Sequence, residues 1–162
     1  MPFPPFVPRI DAQASMRTLD RSVNTTAAKV MVNGDSVFTI LGGPIYILQL
    51  LSVCTTANDT TASTLQWSAD GTDGAATTFT GASATLASAA AGAIVAANMT
   101  ALTTAPDILT TGVGLGGVTT RGIIVPAGII TQVIGVGSTT GKWLHYMWYK
   151  PMGLGATVQA NF

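Results

Sequence analysis

The 162-residue chain predicts an all-β protein: an antiparallel β-sandwich of the jelly-roll kind with an extended N-terminal arm. Three observations carry that expectation. Thr (25) and Gly (18) are abundant, Glu is absent and Lys plus Arg total 7, so strand and turn formers stand where long helices need Glu, Lys and Arg. Short apolar runs recur between breaks containing Gly, Pro or Asn, which is the rhythm of strands joined by tight turns. Four prolines fall within the first eight residues and favour an extended, polyproline-like start.

Residues 1–26 are read as the arm and 27–162 as the sandwich. Phe3, Phe6 and Val7 interleave with the prolines, and Arg9, Arg17 and Arg21 follow. Three apolar anchors on an extended chain suit an arm that orders on a neighbouring subunit, and a floppy terminus is the equal alternative. Next, 29–32 and 36–41 flank Asn33-Gly34, a preferred two-residue hairpin turn. Gly42-Gly43-Pro44 then breaks the chain, and 45–56 is a long apolar strand expected to be buried on both faces. Residues 63–68 alternate polar and apolar, so that strand has one wet face. A turn at 70–74 follows. Between 75 and 106, 77–80 and 84–86 read as short strands and the Ala-rich 88–98 as a short helix. Residues 110–117 form a Gly-rich loop. The strands 121–125 and 129–136 meet at Pro126-Ala127-Gly128 in a hairpin or a corner. The aromatic strand 142–150 and a short strand at 156–158 complete the chain.

Composition excludes several classes. The chain is 48% hydrophobic with mean hydropathy +0.46, too apolar for intrinsic disorder. Its net charge is zero, so it lacks the basic excess that nucleic-acid binding draws on. The apolar stretch 37–54 is broken by Gly42-Gly43-Pro44, which argues against a membrane span, and the start lacks the pattern of a secretory leader. A single cysteine, Cys54, leaves no intrachain disulfide and reads as a small buried hydrophobe.

No catalytic, cofactor or metal site is expected. Gly112, Gly114 and Gly117 satisfy G-x-G-x-x-G, but a strand follows rather than a helix, and no Asp occurs after Asp107. Asp70 and Asp73 flank a glycine and read as turn formers rather than calcium ligands. His145 is the chain's one histidine and has no motif that would supply an orienting carboxylate. By period two, Trp143, His145, Met147 and Tyr149 share one face of the aromatic strand, and Leu144, Tyr146 and Trp148 the other. The Leu144 face is assigned to the core. Trp143, His145 and Tyr149, with Phe3, Phe6, Val7, Arg9, Arg17 and Arg21 of the arm, are assigned to subunit or partner contacts, because aromatics and Met favour interface centres.

Only 9% of residues are charged, and from 30 to 120 there is no Lys or Arg. Soluble domains average about 25% charged residues, and a free monomer uses that charge to resist association. So sparse a surface suits a protein that lives in an assembly.

The order of Phe38-Thr39-Ile40-Leu41-Gly42-Gly43-Pro44-Ile45, Ser63-Thr64-Leu65-Gln66-Trp67-Ser68, Ile124-Val125-Pro126-Ala127-Gly128-Ile129-Ile130 and the strand from Gly141 to Pro151 resembles small virion proteins of tailed bacteriophages, above all the capsid decoration, or cement, proteins. That resemblance implies a jelly-roll subunit on the outer capsid surface. It would form a homotrimer or similar oligomer, clamp neighbouring major capsid protein subunits and stabilise the shell, with the arm as strap. It implies no enzyme activity, cofactor, nucleic acid or membrane. The alternatives are a tail, fibre or head–tail protein of the virion, and a carbohydrate- or receptor-binding sandwich. The thin polar inventory places an enzyme last.

Overall fold

The computed structural model describes residues 20–72, 74–98, 107–109 and 122–162, with side chains at all of these except 107–109. Among them there are twelve strands and no helix, arranged in two sheets whose pairings are all antiparallel. The first sheet is built on two long strands, β4 (Ile45–Thr56) and β11 (Lys142–Pro151). The free edge of β11 carries β1 (Arg21–Asn24) and β2 (Lys29–Val30). The far edge of β4 carries β7 (Ile94–Ala96) and β9 (Ile123–Val125), and β8 (Asp107–Leu109) extends β7. The second sheet runs β12 (Thr157–Ala160), β3 (Ser36–Leu41), β10 (Gly128–Ile134), β5 (Leu65–Gly71), β6 (Thr77–Thr78).

The β-sandwich follows from alternation. On β4, Ile45, Ile47, Leu50, Ser52 and Cys54 turn inward, and Tyr46, Leu51 and Val53 are half-buried on the other side. One face of this strand is therefore sealed and the other partly open, rather than both being buried. The step from Ile47 to Leu50 is a bulge, where the register against β11 shifts between Trp148 and Tyr149. From the second sheet, Phe38, Ile40, Leu65, Trp67 and Ile130 close the core against Trp143, Met147 and Tyr149.

Four local expectations are corrected. The Asn33-Gly34 turn is present: Gly34 has φ 84° and the Asp35 N–H bonds the Val32 carbonyl at 3.2 Å. It does not join a hairpin, because β2 pairs with β11 and β3 with β10 and β12, so the turn passes the chain between sheets. The Ala-rich 88–98 is not helical. Its Ala93 carbonyl and Ala97 N–H bond the backbone of Cys54 and Leu50, and its small side chains let it lie against β4 as β7. The sheet also begins inside the segment read as arm, since Arg21–Asn24 pairs with 146–149 of β11. Residues 84–86 are not a strand, and Pro126-Ala127 is a corner between sheets rather than a hairpin. The glycines at 112, 114 and 117, Asp73 and the arm residues Phe3, Phe6, Val7, Arg9 and Arg17 lie outside the described residues.

The ends of the sandwich differ. At one, the β4–β5 and β10–β11 connections are stitched by hydrogen bonds. Asn58 donates from Nδ2 to the Leu86 carbonyl (2.9 Å) and Ser63 Oγ (3.3 Å), and its Oδ1 accepts from the Trp143 indole N–H at 3.0 Å. Asp59 accepts from the N–H groups of Thr61 and Thr139 and from the Thr139 hydroxyl, each at 2.9 Å, and these bonds hold its carboxyl well below the usual carboxylate range. The other end, where β3, β9 and β11 turn into β4, β10 and β12, is apolar. Gly34 offers a simple test of turn strain, because a Cβ there would meet nothing within 4 Å. Gly34→Ala is expected to cost about 1 kcal/mol from its positive φ alone, with Gly34→Asn costing less, measured by urea unfolding.

Candidate interface

The aromatic strand is oriented opposite to the sequence expectation. Trp143 and His145 are each 1% exposed, and Tyr149 is buried with them. Each polar tip finds a partner inside, and that is what lets this face enter the core. The Trp143 indole bonds Asn58, the Tyr149 hydroxyl accepts from the Val158 N–H at 3.2 Å, and His145 Nδ1 lies 2.6 Å from Ser52 Oγ. Leu144, Tyr146 and Trp148 take the outer face, with Trp148 39% exposed.

The Ser52–His145 pair is sealed from solvent. Among the described residues the ring meets Ser52 Oγ and, edge-on at 5.9 Å, Phe162, while the backbone N–H and carbonyl of His145 bond the hydroxyl and N–H of Thr25. Burial pushes the imidazole down to about 3, so it is neutral across the physiological range. Burial likewise raises the Cys54 thiol, whose sulfur lies 3.1 Å from the Thr56 carbonyl. Among the described residues no group of three or more His, Cys, Asp or Glu could hold a metal, and no helix is long and apolar enough to cross a membrane.

What the surface does offer is apolar. Five large hydrophobics are exposed around the corners of the open end: Leu41, Ile124 (59%), Ile129, Met152 and Leu154 (61%). The corners hold them there. Met152 N–H bonds the Pro44 carbonyl at 3.0 Å, and Gly153 packs beside Gly43 and Pro44. Gly128, at φ 149°, turns β9 into β10 so tightly that a Cβ would overlap the Asp70 carbonyl. Between these corners lies a groove of about 530 Å³. Pro44, Phe79, Ile123, Val125 and Pro126 supply its apolar walls, and Gly71, Gly74 and Ala75 keep it open; among the described residues none that lines it is charged.

The groove continues onto the outer face of the first sheet. In register, Ile124 stands beside Tyr46, Tyr46 beside Lys150, Trp148 beside Gln49, Tyr146 beside Leu51, and Leu144 beside Val53. Tyr146 and Trp148 stack with centroids 6.4 Å apart. One ion pair interrupts this face, Lys150 to Asp20 at 3.4 Å, with both side chains about half exposed. Of the large hydrophobics exposed among the described residues, only Val32 and Val136 lie away from this end and face, and such clustering marks an interaction surface.

Of the residues assigned to contacts from the sequence, Arg21 is on β1 and half-buried, while Trp143, His145 and Tyr149 are interior. The residues missed are the corner hydrophobics. Their signal was present as large apolar side chains next to Gly and Pro breaks, where a turn leaves them outside either sheet. Comparison of the chain with protein-family models, curated proteins and solved structures gives no match.

Proposed function

We propose that the chain is a virion structural protein that decorates and stabilises the outer capsid shell of a tailed bacteriophage, bridging neighbouring major capsid subunits as an oligomer. The observation that carries this reading is the apolar end and face, interrupted by the Lys150–Asp20 ion pair, on a chain with a charged fraction of only 9%. A subunit that adds apolar burial at many shell junctions raises the barrier to opening and does not depend on salt.

We further propose that the sandwich is a jelly roll. Strand order supports it. After β1 and β2, the chain passes between sheets at β3, β4 and β5, and the β11 strand returns between β1 and β4 while β10 returns between β3 and β5. That double return is the interleaving of two Greek keys, an architecture shared by viral capsid and lectin domains. Fold alone does not fix function.

Light scattering on the purified chain tests the oligomer, and co-sedimentation with shells stripped of it tests the partner. The expected mass is a small multiple of 16.5 kDa, three copies for a trimer. A monomer that ignores shells overturns the reading. A second reading, a carbohydrate-binding sandwich, is favoured by one observation: exposed Trp148 has Ser22 and Gln49 as register partners, with the Asp20–Lys150 pair close by. Trp148→Ser separates the two. It is expected to cost less than about 1 kcal/mol of stability as a surface change. It weakens shell binding under the first reading and abolishes retention on a glycan column under the second.

A further inference from the structure

We propose that the apolar groove receives the N-terminal segment 3–8 of a second copy of the chain, with Phe3, Phe6 and Val7 as its anchors. The inference rests on the oligomeric part of the reading above but not on the shell. Groove and segment match in chemistry. The groove's apolar walls are Pro44, Phe79, Ile123, Val125 and Pro126, with no charge among its described lining residues, and the segment carries two phenylalanines, a valine and three prolines without a charged side chain. A proline-rich segment is already extended, so it loses little conformational freedom on docking in an apolar trough. One wall of the groove is β9, which pairs with β4 on one edge and with no other strand among the described residues. Phe3, Phe6 and Val7 retain the N–H groups with which to meet that edge.

Reach permits a second copy, and the sparse charge of the chain favours one. The described chain begins at Asp20, held beside Lys150 at the same end of the sandwich as the groove. Across the sheet, β1 and β9 are three strand spacings apart, about 14 Å. Residues 9–19 can span up to about 40 Å when extended. That reach covers a neighbour whose radius of gyration is about 15 Å as well as the chain's own groove, and the doubly substituted chain below separates the two. Each copy would then give one segment and accept one.

Mixing two variant chains tests this without any shell. One carries Phe6→Cys and the other Thr77→Cys, an exposed position on the groove rim; Cys54 is buried and stays in place. Oxidised glutathione is the oxidant, and non-reducing gels follow the mixed dimer. We expect that dimer to form at least tenfold faster than with a control chain carrying Val136→Cys, exposed and away from the groove. Gly74→Trp, which meets open space, should fill the groove and abolish the difference. Equal rates for both pairs overturn the proposal. So does a chain carrying both Phe6→Cys and Thr77→Cys that forms only an intramolecular disulfide. Shell binding that survives a failed cross-link leaves the decoration reading standing and removes only the arm exchange.

Discussion

Replacing Asn58 with alanine is expected to lower the thermal midpoint by about 10 °C, because two buried groups lose their partners at a cost of about 1–3 kcal/mol each. The Trp143 indole N–H and Ser63 Oγ both depend on this one amide and both residues are buried, while the Leu86 carbonyl keeps the Ala89 N–H. Water cannot replace the amide without opening the end of the sandwich. Asn58 is also the reason Gly141 has no side chain. A Cβ on Gly141 would overlap Asn58 Oδ1, yet its backbone is not in the left-handed region. Gly141→Ala should therefore be costly in the native chain and much less so once Asn58 is alanine, where the Asn58 Cα, 3.1 Å from the added Cβ, is the tight contact that remains. The double-mutant cycle is expected to show a coupling of about 2 kcal/mol, and additive effects would refute the packing account. Thermal melts by circular dichroism read all four corners of the cycle.

The strands themselves were legible in the sequence wherever one face is sealed. β4, β5, β10 and β11 each show alternation between apolar and more polar positions, and that periodicity is set by the core they face. Partnership was not legible. Asn33-Gly34 has the chemistry of a hairpin turn and adopts it, but nothing local records that its two flanking strands belong to different sheets. The 88–98 segment has the propensity of a helix, and a strand edge 40 residues earlier in the chain overrides it through three backbone bonds to Leu50 and Cys54. Period two placed Trp143, His145 and Tyr149 on one face, but which face enters the core depends on Asn58, Ser52 and the backbone of Val158. Those partners come from three separate strands or loops, and only the folded chain brings them to the aromatic tips.

Stability is expected to fall as pH drops below 6.5, and His145 is the cause. In the unfolded chain the imidazole takes a proton near pH 6.5, whereas in the native core burial holds its pKa down to about 3. Between those values the unfolded state binds a proton that the native state does not. Folding free energy is therefore full above pH 6.5 and is lost by up to about 1.4 kcal/mol per pH unit below it. The surroundings reinforce the sign. The groups shown against the ring are Ser52 and Phe162, neither of them anionic, and the Lys29 ammonium sits 4.2 Å from the centre of the Phe162 ring. Asp59 acts with the same sign but lower in pH: its carboxyl is held below the normal range, so its contribution is complete above that range and fades only under about pH 4. Urea unfolding between pH 8 and 4.5 thus isolates the histidine. The native chain should be flat to pH 6.5 and then lose about 2–3 kcal/mol by pH 4.5. His145→Gln, less stable throughout because the aromatic packing is lost, should show no such decline. A decline of the same slope in that variant would assign the acid sensitivity elsewhere and would mean that the Ser52–His145 contact accepts a proton in the folded state.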